Sequence, residues 1–244
     1  MKFTYFWLLA ISGANLFVDA MHGGDYFPIK DVPYMAQLYF EAENGMISYC
    51  GATILSEYWL VSAAHCVGLK GMVINQVRVG STFTAEAGNV INITRIIVNG
   101  NYETNNIWDS DISLIKLQSP IEFDEKQQPI HVAREPPKVG DSITISGFGY
   151  SYRGLMGESL QVGHVPVIDD ETCRVNYTIT KNMFCTSTSK IDLCYGDSGG
   201  PAVLDGKLVG IVSQGCEITA PNVFTKVANF YNWIIKHTGI KYDD

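Results

Sequence analysis

Apolar residues in this chain come in short runs broken by turn-forming residues, and that rhythm restricts the fold more than any other feature. Ala52 to Leu55, Gln76 to Val79, Ile91 to Val98, Ile112 to Leu117, Ser142 to Ile145 and Lys207 to Val212 are such runs, continuous or alternating. They have strand length, and they follow one another at similar spacing. The pattern predicts an all-β barrel or sandwich rather than alternating βα units. Only the tail has helical period. Val227, Phe230, Tyr231, Ile234 and Ile235 form one stripe and predict a single helix over about 227–237 that docks on the core. From Gln118 to Gly140, four prolines among polar residues suggest a connection between two halves.

The chain has 244 residues, 46% of them hydrophobic, enough to bury a full core. Its net charge of −8 is spread without an acidic block, which argues against nucleic acid or an anionic membrane surface as partner. Lys2 and the apolar run from Phe3 to Ile11 read as an export signal too short to span a bilayer. Cleavage is expected after Ala20, making 1–20 the signal; the alternative, after Ala14, leaves residues 15–20 as a short extension. No membrane anchor is expected.

Six cysteines in an exported chain predict three disulfides, with the connectivity open. There is no C-x-x-C and no H-x-x-x-H, so neither a metal nor a cofactor is expected. Asn92-Ile93-Thr94 and Asn176-Tyr177-Thr178 are glycosylation acceptors if the secretory route glycosylates.

The chemistry is concentrated in three segments. Gly196-Asp197-Ser198-Gly199-Gly200-Pro201 places a serine between glycines, where the backbone can take unusual dihedral angles and aim N–H groups inward. A serine hydroxyl needs a base to take its proton, and the oxyanion formed on attack needs donors already in place. The N–H groups of Gly196 and Ser198 are the candidates. Leu60-Val61-Ser62-Ala63-Ala64-His65-Cys66 brings one histidine to the end of an apolar stretch. Asp111 stands at the lip of the buried run Ile112 to Leu117, where it can orient an imidazole.

Together, A-A-H-C around His65, D-I-S-L-I-K-L from Asp111 and G-D-S-G-G-P around Ser198, in the order His, Asp, Ser, resemble the trypsin and chymotrypsin family. The resemblance runs from about Met21 to the C-terminal helix. It implies two packed six-stranded antiparallel barrels, over about 33–120 and 138–226, with the site between them. It also implies acyl transfer by Ser198, with His65 as proton shuttle and Asp111 holding its tautomer. Asp109 lies two residues before Asp111 and rivals it for that role, but the motif favours Asp111. Ser213 matches the serine that supports the aspartate. The implied disulfides are Cys50–Cys66, Cys173–Cys185 and Cys194–Cys216.

By the same resemblance Asp192 lies at the floor of the primary specificity pocket and would select Arg or Lys. Three departures reshape that pocket. Leu193 adds bulk where a small residue is usual; Ser213-Gln214-Gly215-Cys216 is about two residues short and lacks its tryptophan; and Asn222 replaces a glycine. Trp108 is expected to line the site of the preceding substrate residue, and Tyr195 to lie over the pocket mouth. Phe148 stands in place of a tryptophan, Pro33 and Tyr34 enter the first barrel, and Tyr177 supports the pocket.

The amine of Met21, once free, would pair with Asp197 and organise the oxyanion hole; Met21-His22-Gly23-Gly24 departs from the usual I-V-G-G and follows no basic residue. The stretch Gly80 to Ile91 has only Glu86 as a carboxylate, so no calcium loop is expected. The resemblance implies a monomeric endopeptidase acting on proteins or peptides and open to protein inhibitors. The alternative is a catalytically silent homologue that binds or regulates other proteins.

Overall fold

The computed structural model describes residues 25–42, 47–68, 72–84, 86–102, 107–150, 157–188, 191, 193–217 and 219–242. The expected leader, Met21 and Asp192 lie outside the described residues.

Two barrels carry the chain. The first closes through β2 (Met35–Ala42), β3 (Ile47–Ile54), β4 (Trp59–Ser62), β7 (Ser113–Leu117), β6 (Asn89–Val98) and β5 (Met72–Val79), in that order. The second closes through β9 (Ser142–Gly147), β10 (Gln161–Ile168), β11 (Met183–Thr186), β14 (Asn222–Lys226), β13 (Lys207–Gln214) and β12 (Pro201–Leu204), which returns to β9. Every pairing in both rings is antiparallel, as the family resemblance implies. Two short strands lie outside the rings: β1 (Asp25–Tyr26) pairs with β10, and β8 (His131–Val132) runs parallel to β13.

Burial follows the pleat where one face meets water and fails to alternate where both faces are covered. β10 buries Gln161 to Gly163, Val165 and Val167 while exposing His164 and Pro166; β4 is buried throughout. Leu38, Ala52, Ile54, Leu60, Val77 and Leu114 are sealed in the first core. Ile143, Ile145, Val165, Phe184, Val212 and Phe224 fill the second. Closing both sheets leaves no long unpaired edge near the site among the described residues.

The tail differs from the single helix expected. Val227–Phe230 is a 3-10 turn, and the helix proper, α3, spans Tyr231–Thr238. In a 3-10 turn residues three apart eclipse, so Val227 and Phe230 both point into the first core, while Ile234 continues the buried stripe one turn on. Gly239, with φ 72°, ends α3 by donating to Ile235 O. The tail leaves the second barrel and buries its apolar face with the first, tying the halves together.

Candidate functional site

His65 reaches the cleft because β4 ends at Ser62 and the chain turns into the one-turn helix α1 (Ala64–Val67). Disulfide Cys50–Cys66 fastens α1 to β3, and Ser113 Oγ donates to Ala63 O over 3.0 Å. The imidazole Nδ1–H then donates to Asp111 Oδ2 at 2.8 Å, and the His65 backbone N–H donates to Asp111 Oδ1 at 2.8 Å. A fully buried carboxylate requires such donors. Ser213 Oγ supplies a third at 2.7 Å, and Thr225 Oγ1 donates to the Asp111 carbonyl at 2.8 Å. Pairing of β13 with β14 shifts register between Val212 and Gln214, and this bulge turns Ser213 toward Asp111. With Nδ1–H committed to Asp111, Nε2 of a neutral ring is left as an acceptor.

Ser198 lies on the loop entering β12, half-buried, and lines the same cleft as His65. Among the described residues its hydroxyl makes no hydrogen bond to His65, a gap common in such sites before substrate tightens them. The loop's N–H groups divide in two. Those of Asp197, Gly199 and Gly200 donate to Cys194 O, Val212 O and Asp197 O, whereas those of Gly196 and Ser198 donate to no described residue. Gly196 permits this with φ 98°. Gly51 N–H of the first barrel grips the loop by donating to Ser198 O at 2.7 Å. Asp197 is fully buried, its carboxylate accepting from Gly149 N–H at 2.8 Å and Cys194 N–H at 3.1 Å.

The cleft beside these residues encloses about 320 Å³ and is lined by Trp108, Tyr177, Leu193, Tyr195, Gln214 and Gly215 among others. The Trp108 ring sits 4.7 Å from the His65 ring, and Tyr195 is 75% exposed at the rim. Disulfide Cys194–Cys216 joins the two walls, while Cys173–Cys185 ties α2 (Asp170–Cys173) to β11. The walls meet. A Cβ on Gly215 would lie 2.6 Å from Leu193 O and 2.7 Å from Asn222 Oδ1, so only glycine allows this approach. Asn222 is fully buried beneath; its Oδ1 accepts from Leu193 N–H at 3.4 Å. Among the described residues its Nδ2 has no partner, nor has the Oγ1 of Thr186, the residue opposite it on β11.

Other expected residues are placed as follows. Phe148 is buried with Met35, Leu160 and Val162. Asn92 and Asn176 are exposed. Cys50, His65 and Cys66 converge within 4.8 Å, but the sulfurs are bonded to each other and offer no thiolate. No helix among the described residues is long and apolar enough to cross a membrane. Sequence reasoning missed Gly51, Thr186, Thr225 and Glu217, which lines the cleft mouth. It also missed Tyr102, whose phenol is pushed up to about 12 by burial and by the Asp111 charge. No spacing in the sequence signals these residues, because their roles come from tertiary placement rather than from a local motif.

Comparison with known proteins agrees with the architecture. The family profile described as Trypsin matches residues 21–234. A trypsin of Phaedon cochleariae is 34% identical over 232 residues, covering 89% of this chain and 88% of that protein. A trypsin of Sus scrofa is 36% identical over 232 residues, covering 88% and 94%, and trypsin II-P29 of Gallus gallus is 34% identical over 254 residues, covering 96% and 97%. Two antiparallel barrels, a histidine and a buried aspartate bonded in the cleft between them, a serine on the facing loop and a match over nearly the whole length converge on one conclusion: this chain belongs to the trypsin family of serine proteases.

Proposed function

We propose that the protein is a secreted serine endopeptidase in which Ser198 attacks the peptide carbonyl, His65 takes and returns the proton, and Asp111 fixes the imidazole. The observation that carries this reading is the commitment of His65 Nδ1–H to a buried Asp111, which leaves Nε2 to receive the Ser198 proton. The oxyanion that forms on attack is stabilised by the uncommitted N–H groups of Gly196 and Ser198. Collapse of the tetrahedral intermediate breaks the C–N bond, with His65 protonating the leaving amine. Water then adds to the acyl-enzyme, its proton passing to His65, and releases the acid while Ser198 regains its own proton.

Substrates are proteins or peptides cleaved after Arg or Lys through Asp192, in a slot narrowed by Leu193, Gly215 and Asn222. The enzyme works as a monomer, and protein inhibitors compete for the cleft. The Met21 amine, freed when residues 1–20 are removed, pairs with Asp197 and completes the oxyanion hole without a basic activation site. The meeting of Gly215 with Leu193 favours one rival reading, a silent homologue whose cleft binds a partner.

N-terminal sequencing and fluorophosphonate labelling of the secreted protein separate the two. A Met21 start with label on Ser198, lost in Ser198→Ala, is the expected result. A correctly processed, folded protein that takes no label sinks the enzyme reading.

A further inference from the structure

Asp109 stands two residues before Asp111, and on a regular strand the two carboxylates would face the same way. The backbone does otherwise. Trp108 and Ser110, on either side of Asp109, have φ of 54° and 57°, the left-handed region that non-glycine residues rarely occupy. Two such residues in three persist only where the surroundings hold them.

What holds them is the second barrel. The Asp109 carboxylate accepts a short hydrogen bond from Thr180 Oγ1, and it accepts from Asn182 Nδ2 at 3.1 Å and 3.2 Å and from Ser110 Oγ at 3.3 Å. Thr180 and Asn182 are themselves fixed: Asn182 N–H donates to Thr180 Oγ1 at 3.1 Å, Asn182 Oδ1 accepts from Asn229 Nδ2 at 3.1 Å, and Asn182 O accepts from Lys226 N–H at 2.7 Å. The carboxylate thus clasps the loop before β11 and, through it, the end of β14. On one side of this clasp Asp111 meets Ser213 and Thr225; on the other the Trp108 ring lies 4.7 Å from His65.

We propose that Asp109 is a positioning residue for the peptidase reaction. Its bonds to Thr180 and Asn182 hold Trp108 in the left-handed conformation that sets the indole against His65. There the indole forms the wall for the substrate residue preceding the one that is cleaved. The inference rests on the endopeptidase reading above. Without the clasp the loop relaxes toward ordinary dihedrals and the indole leaves the imidazole. Removing the anchor therefore weakens discrimination at that substrate position, beyond any effect on folding.

The test uses mature Asp109→Ala and Thr180→Val, with Thr180→Ser as the variant that keeps the hydroxyl donor. Each is assayed on paired peptide amides that differ only in carrying Leu or Gly before the cleaved residue. Displacing a wall by about 1 Å can cost up to about a hundredfold, so kcat/KM on the Leu peptide should fall at least about tenfold, mainly through KM. The loss on the Gly peptide should be several times smaller, and Thr180→Ser should behave as wild type. Equal losses on both peptides that track the drop in melting temperature overturn the proposal.

A second reading is independent of turnover. The Trp108 ring current shifts the His65 imidazole protons, and that shift should collapse in Asp109→Ala and Thr180→Val but persist in Thr180→Ser. If wild type hydrolyses neither peptide, the endopeptidase reading fails by itself. An unchanged His65 shift in folded Asp109→Ala overturns the clasp.

Discussion

Gly51 of the first barrel donates its N–H to the carbonyl of Ser198 in the second over 2.7 Å, so the loop bearing the proposed nucleophile is gripped from across the cleft. There is no room for a side chain at that grip. A Cβ at position 51 would lie 2.7 Å from Gly200 Cα and 2.8 Å from Gly200 N, both backbone atoms. Gly51→Ala must push the loop away from β3, at an overpacking cost of about 1–3 kcal/mol. Activity should suffer more than stability, with kcat falling roughly a hundredfold because the loop also aims the proposed oxyanion donors. Parallel melting and phosphonate-labelling measurements check this; a melting loss with an unchanged labelling rate would refute it.

Ser213 reaches Asp111 only because of the bulge in β13, and its hydroxyl is one of three donors to a carboxylate with no exposure. Ser213→Ala leaves the imidazole contact intact and removes one charge-assisted bond, for a stability loss of about 1.5–3 kcal/mol. Asp111→Asn is different in kind. Its amide can donate to Nδ1 and so favours the wrong imidazole tautomer, and kcat should fall by about four powers of ten with the fold retained. Denaturant titration and steady-state kinetics on the two variants distinguish a supporting hydroxyl from an orienting carboxylate.

Much of this was legible in the sequence, for reasons that differ by residue. Short strands in a closed sheet leave their pleat in the pattern, and His65, Asp111 and Ser198 sit in local motifs whose neighbours do structural work. Gly51, Thr180, Asn182, Thr186 and Thr225 left no such trace, because their partners lie across the barrels or on neighbouring strands and nothing local marks the pairing. Asp109 was visible as a second carboxylate beside Asp111, but its direction depends on the left-handed φ values of Trp108 and Ser110, which an alternating strand pattern hides. The tail kept its stripe and changed its helix type, since residues three apart are buried equally well by a 3-10 turn.

Alkaline pH should expose two half-buried tyrosines. Burial pushes the Tyr34 phenol up to about 12, and burial with the Asp111 charge pushes Tyr102 up to about 12, from 10.0 in the unfolded chain. Between those values the folded protein retains protons that the unfolded chain has lost, so stability falls as pH rises through the window and is unaffected by these groups below it. Near-ultraviolet titration should therefore show a late tyrosinate phase, with denaturant midpoints dropping over the same range. In Tyr102→Phe the late phase should shrink and the midpoint should drop less. A single tyrosinate step near 10, with flat midpoints, would contradict this.

Asn222 offers the sharpest probe of specificity because two opposing effects meet at one side chain. Among the described residues its Nδ2 is buried without a partner, a state that costs about 1–3 kcal/mol, while its Oδ1 receives Leu193 N–H and fills the space beneath Gly215. Asn222→Gly removes the unsatisfied donor and the obstruction but also a hydrogen bond, and glycine within β14 costs about 0.5–1 kcal/mol. The net stability change should be within about 1 kcal/mol of zero, because the terms oppose each other at similar size. Specificity has no such offset. If Asp192 selects basic side chains as proposed, the substrate slot deepens and kcat/KM for peptides cleaved after Arg should rise at least about tenfold relative to those cleaved after Ala. If the ratio stays fixed in a stable Asn222→Gly protein, Asn222 is not what narrows the slot, and the contact between Gly215 and Leu193 sets its depth alone.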